Sequence, residues 1–128
     1  MPLMRFLPAL AATLIACSPP AMAADAPAAP PDAADPEAEL DESLKRFGYL
    51  AGLARGCVVA EQRVNLEREA LDLHGAIGRL FGTDRAFLFG SSFGYGTSVE
   101  VETKDCEEVV RRYEERVAGF RANRGGAK

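Results

Sequence analysis

Three cysteines set the terms on which this chain can fold: Cys17 ends an N-terminal apolar run, and Cys57 and Cys106 stand about 50 residues apart in the remainder of the chain. The run, Phe6 to Ala16, is preceded by Arg5 and closed by Pro19-Pro20, the outline of an export signal. About eleven residues are too few to cross roughly 30 Å of hydrocarbon as a helix, so the segment predicts export and no permanent span. Export delivers a chain to an oxidising compartment, where thiols pair. Cys17 belongs to a segment that is either modified or discarded, which leaves Cys57 and Cys106 for each other. The loop they close is worth roughly 4 kcal/mol in the chain-entropy model.

That staple matters because little chain remains to make a core. The signal and a low-complexity stretch take about the first third of the 128 residues, leaving one small domain. A domain of that size buries only about 60 to 65% of its unfolded surface and is marginal without help.

Two processing sites compete. Ala21-Met22-Ala23 before Ala24-Asp25 fits the small-x-small site of a secreted protein, giving a signal over residues 1–23. Leu14-Ile15-Ala16-Cys17 resembles the lipobox of bacterial lipoproteins, which gives a signal over residues 1–16 and makes Cys17 the lipid-attachment residue. By the same resemblance, Ser18 after the cysteine directs the chain to the outer membrane, with membrane contact only through the lipid. Either way the expected place is the periplasm of a Gram-negative bacterium, free or anchored. Residues 17–35 are Ala/Pro-rich and acidic, too polar and proline-rich to order, and predict a disordered tether.

The formal charge of -4 is unevenly spread. Residues 24–42 hold seven acids and no base, whereas Ser43 to the end holds 14 Lys and Arg against 12 Asp and Glu. Nucleic-acid binders concentrate base on one face at high pI, so no nucleic-acid partner is expected.

From Asp35 the pattern is helical throughout. Asp35-Pro36 reads as an N-cap followed by proline in the first turn. Leu40, Leu44, Phe47, Ala51, Ala54 and Val58 then make an apolar stripe to about Ala60. Gly48, Gly52 and Gly56 recur every fourth residue beside it, where a second helix can approach closely. Leu66, Ala70, Leu73, Ile77 and Leu80 predict a second helix that Gly82 terminates. Asp84 is suited to cap a third, over 86–93, which Gly94 and Gly96 should break. Thr97 to Glu102 reads as a short extended connection, and Thr103 as the cap of a last helix with its stripe on Cys106, Val109 or Val110, Tyr113, Val117 and Phe120. The expectation is all-α: a small four-helix bundle over residues 36–122 with one inter-helix disulfide, and a frayed tail over 123–128.

Little in this domain looks like catalytic chemistry. Gly90-Ser91-Ser92-Phe93-Gly94 matches G-x-S-x-G, but that motif works on a strand-to-helix turn with an acid and a histidine after the serine, and His74 comes before it. His74 itself sits near the boundary of the second stripe, without an obvious orienting partner. The Glu107-Glu108 and Glu114-Glu115 pairs alternate with Arg111-Arg112 and Arg116, as a solvated helix face does. There is no CxxC, and one histidine cannot complete a usual zinc set. No catalytic, metal or cofactor residue is expected. Phe87, Phe89, Phe93 and Tyr95 crowd four aromatics into nine residues. A small core cannot bury all of them, which makes Phe89, Phe93 and Tyr95 the candidates for contact with a partner protein.

Leu14 to Cys17, Tyr49-Leu50 ahead of Cys57 and Cys106 ahead of Phe120 together resemble secretin pilotins, small outer-membrane lipoproteins that escort secretion-channel subunits. The resemblance implies a helical domain that clasps a partner helix in a hydrophobic groove. Acid-stress chaperones of the periplasm share a disulfide of similar span between two helices. The expected function is therefore non-enzymatic binding of another envelope protein. The alternatives are a soluble stress or acid holdase, and a periplasmic inhibitor or immunity protein.

Overall fold

The structure, a computed structural model, describes residues 34–126. The signal segment, Cys17 and nearly all of the tether lie outside the described residues. What is described is an all-α bundle of four helices: α1 (Pro36–Cys57), α2 (Ala60–Phe81), α3 (Thr83–Thr97) and α4 (Cys106–Gly126).

Helix α1 starts as the sequence dictates. The Asp35 side chain accepts from the Glu37 N–H at 3.0 Å, proline fills the first turn, and Glu37 and Glu39 face the positive end of the helix dipole. It ends at Cys57, short of the expected Ala60, because the two β-branched residues Val58 and Val59 are extended and form the whole connection to α2. Helix α2 accordingly begins at Ala60, well before its first buried residue, Leu66; the turns between are solvent-exposed and carry no apolar stripe to announce them.

The α2–α3 connection is Gly82 alone. Its φ of 96° lies where side chains are strained, and its N–H closes α2 on the Gly78 carbonyl. With Gly82 in the N-cap position, α3 begins at Thr83 and the expected Asp84 cap is not made. Nor do Gly94 and Gly96 break α3, which continues to Thr97. Packing overrides propensity here: the Gly96 Cα lies against the main chain of α1 at Tyr49 and Gly52. The expected extended piece is thus shortened to the connection after Ser98, and Thr103 opens a 3-10 turn, Thr103–Asp105, that leads into α4.

Helix order follows from the contacts. Arg85 of α3 pairs with Asp41, and Phe89 and Gly96 lie against Gly48 and Gly52, so α1 and α3 run parallel. Cys106 joins Cys57 and Arg116 reaches Ser43, so α4 runs antiparallel to α1. Gly78 opposes Ala86 and His74 opposes Gly90, which makes α2 antiparallel to α3. The core holds Leu44, Ala51, Ala54, Leu73, Ile77, Phe89, Tyr113 and Val117, with Phe47 edge-on to Phe89 at 5.5 Å. The disulfide links the last residue of α1 to the first of α4, Cα to Cα 5.2 Å.

Helix α4 runs to Gly126, so the tail expected to fray from residue 123 is helical for most of its length. Arg121 donates to Glu69, and Arg124 pairs with Asp72, pinning the last turns of α4 to α2. Among the described residues no helix is long and apolar enough to cross a membrane.

Candidate functional site

A helix advances about 100° per residue, so the aromatics of α3 must point different ways. Phe89 takes the inward direction and is 1% exposed. It belongs to the core and is not available to a partner, because its side of α3 is pressed onto α1 and onto Phe47. Phe93 is half-buried and opens toward α2. Tyr95, 66% exposed, opens between α3 and α1, where its ring stacks on Tyr49 at 5.6 Å. The three expected contact residues therefore do not share a surface.

Two openings result. Between α2 and α3 lies a groove of about 380 Å³, lined by Ala70, Leu71, His74, Gly90 and Phe93, with Glu67 on its rim and Phe89 at its base. Gly90 keeps it open: a Cβ there would stand 3.1 Å from the His74 ring, which would have to shift by a few tenths of an ångström to admit it. Leu71 is 73% exposed at the mouth. On the other side of α3, a shallow depression of about 460 Å³ is lined by Tyr49, Tyr95, Lys45, Arg46, Ser91 and Ser92.

Ser92 and His74 thus line different openings, and the G-x-S-x-G residues all lie within a helix. The geometry that a serine nucleophile needs is not assembled by these residues. Among the described residues there is also no group of three His, Cys, Asp or Glu able to hold a metal ion.

Leu71 and Phe87 (68% exposed) also stand at the surface, although neither is among the contact residues expected from the sequence. Leu71 could have been found. It falls outside the Leu66, Ala70, Leu73, Ile77 stripe, so a helical reading already puts a large apolar side chain on the solvent side.

One electrostatic hub braces α2 against α4. The Tyr113 hydroxyl donates to Glu69 Oε1 at 2.7 Å, and Arg121 Nε donates to Oε2 at 2.7 Å. Burial pushes the Glu69 carboxyl up, but the hydrogen bonds from Arg121 and Tyr113 and the charges of Arg121 and Arg124 outweigh it and hold the carboxyl below its usual range. Burial, and then the Glu69 carboxylate, push the Tyr113 hydroxyl far above its usual range, so it stays a donor.

Comparison with protein-family models, with curated proteins and with solved structures finds no match to this chain.

Proposed function

We propose that this chain is a non-enzymatic cell-envelope protein that acts by binding another envelope protein, as an assembly accessory of the pilotin kind. The seat is the α2/α3 groove. One observation carries the reading: an apolar channel runs between two helices, with Leu71 standing nearly free at its mouth and Gly90 lowering one wall. A channel of that form suits an amphipathic partner helix, which lays its apolar face into a groove at i, i+3 and i+4 positions. Glu67 and His74 on the rim would then set register. The lipobox-like Cys17 and the tether after it supply the rest of the reading, an anchored domain free to reach its partner.

In-cell crosslinking tests it, using a photoreactive residue at Leu71 and, separately, at exposed Arg68, in wild type and in Cys17→Ala. A discrete protein captured from both positions, with the Arg68 capture lost in Leu71→Asp while the helical circular dichroism signal is unchanged, is the expected result. Capture that ignores Leu71→Asp removes the groove from the proposal, and no capture at either position removes the binding function. If Cys17→Ala changes neither membrane partitioning nor mass, the anchor is discarded.

A second reading, a soluble acid holdase, is favoured by the Glu69 hub. Protonating that one carboxylate would withdraw the acceptor that Tyr113 and Arg121 share and loosen α2 from α4. A holdase loosens and exposes apolar surface near pH 3, whereas a docking module stays folded.

A further inference from the structure

Helix α2 holds four acids and three arginines, yet the fold leaves its outer face basic. Three of the acids are spent on neighbouring helices: Glu67 pairs with Arg55 of α1, Glu69 with Arg121 and Tyr113 of α4, and Asp72 with Arg124 of α4. The fourth, Glu61, stands in the first turn, two turns or about 10 Å before Arg68. The arginines of the outer face are not consumed in this way. Arg68 and Arg79 are exposed and have no carboxylate within ion-pair distance among the described residues.

These two arginines bracket the mouth of the α2/α3 groove. Arg68, Leu71, Gly75 and Arg79 follow one another at helical spacing, which puts them on one face of α2. Arg68 is thus one turn before Leu71. On the other side the Arg79 guanidinium folds back over Gly75, where a Cβ would meet its Nη1 at 3.4 Å, so its charge is carried to within about one turn of Leu71. The facing wall does not offset them: from Ala86 to Thr97, α3 has no Asp, Glu, Lys or Arg, and Asp84 at its start lines a different depression with Asp41 and Arg85. Of the residues lining the groove, Glu67 alone is acidic, and Arg55 neutralises it.

We infer that the segment docking in this groove is an acidic amphipathic helix, its apolar stripe against Leu71 and Phe93 and its flanking carboxylates answering Arg68 and Arg79. Arg68 and the level of Gly75 are seven residues or about 10 Å apart, two turns of a helix laid along α2, so the answering acids stand about seven residues apart on the partner. Charge of this kind selects the partner and speeds its encounter more than it tightens the complex. The inference rests on the α2/α3 groove as the docking seat and adds the chemistry of what docks. A channel between two helices, apolar in most of its lining, suits a rod better than a flat surface, which favours a helix over an anionic lipid bilayer of the same sign.

The test uses two labelled peptides of about 18 residues, long enough to hold a helix, that share an apolar i, i+3, i+4, i+7 stripe and carry either Glu or Lys at the flanking positions. Each is titrated against the full chain by fluorescence anisotropy at low ionic strength, where exposed charge is least screened. The Glu peptide should bind about tenfold tighter than the Lys peptide, because two exposed pairs, each worth a few-fold, turn from attraction to repulsion. Arg68→Glu/Arg79→Glu should invert the order, and Arg68→Gln/Arg79→Gln should bring the two peptides within about threefold of each other. Leu71→Ser, which leaves the charge unchanged, should weaken both. Equal binding of the two peptides that is lost in Leu71→Ser overturns the acidic partner and leaves the groove standing. A preference for Glu that ignores the charge reversal overturns the role of these arginines, and one that ignores Leu71→Ser takes the acids away from the groove and overturns the inference with it. Binding of neither peptide overturns both readings, and arginine-dependent binding to phosphatidylglycerol vesicles in that case assigns the face to anionic lipid.

Discussion

Adding one methyl group to Gly52 should do more damage than its size suggests. A Cβ built there would stand 2.8 Å from the Gly96 Cα and 2.8 Å from the Thr97 nitrogen, and nearer still to the Phe93 carbonyl oxygen. All three obstacles are main chain of α3, so no side chain can turn aside. Ordinary contact begins near 3.4 Å, and the two helices would have to part by about 0.6 Å or more. Ala51 and Ala54 of α1 and Phe89 of α3 lie on either side of this seam at 0 to 1% exposure, so parting it opens gaps all along it. A gap of about 0.5 to 1 Å forfeits a quarter to a half of each dispersion contact, and overpacking of this kind costs about 1–3 kcal/mol. Rigid main-chain obstacles place Gly52→Ala at the top of that range. Against it stands a gain of about 1 kcal/mol from replacing helical glycine by alanine. The net is a loss of about 2 kcal/mol, or roughly 8–16 °C in Tm for a domain this small.

The same substitution at Gly94 isolates the propensity term. A Cβ at Gly94 meets nothing within 4 Å, so Gly94→Ala should stabilise the domain by about 0.5–1 kcal/mol. Gly48→Ala and Gly96→Ala should side with Gly52, since each would drive a Cβ into the facing backbone. Urea and thermal unfolding, followed by circular dichroism at constant disulfide content, give the signs directly, and an unchanged m-value shows that the comparison is like with like. If Gly52→Ala were as stabilising as Gly94→Ala, the parallel α1/α3 contact would be refuted.

Two further outcomes concern the covalent and ionic ties. Reducing the disulfide, or making Cys57→Ser/Cys106→Ser, should remove about 4 kcal/mol of stability, most of what a domain of this size has; a loss under about 1 kcal/mol in the unfolding free energy would contradict the staple. Glu69 has a folded pKa below its unfolded one, so its contribution is fully present above the ordinary carboxylate range and is lost as pH falls through the folded value. A Tm profile measured downward from pH 6 should therefore fall less steeply in Glu69→Gln than in wild type. A parallel fall in both proteins would show that other carboxylates control acid sensitivity, and dye binding along the same series separates a holdase, which takes up dye, from a docking module.

The stripes make the four helices legible because burial repeats at the helical period, and the cysteines make the staple legible because the expected fate of Cys17 leaves Cys57 and Cys106 as one pair. The limits are informative in the same terms. An i, i+4 ladder turns about 40° at each step, so three glycines so spaced spread over about 80° and cannot all face one neighbour. Gly48 and Gly52 lie in the seam, while Gly56 meets nothing within 4 Å. Reading Gly94 and Gly96 as helix breakers weighs propensity alone, and propensity is worth about 1 kcal/mol per residue. That is too little to stop a helix that is docked against α1, with Gly96 itself in the contact. The aromatics show the same split between local and tertiary information. Phe87 and Phe89 are two residues apart and so point about 200° away from each other on any helix, which means that at least one of them must leave the core. The sequence already holds that necessity. The choice of Phe89 for the interior and Phe87 for solvent does not come from the segment itself. It comes from which side of α3 meets the glycine face of α1, and so the position of the groove, with Phe93 on its wall and Leu71 across from it, is decided by the same contact that Gly52→Ala would break.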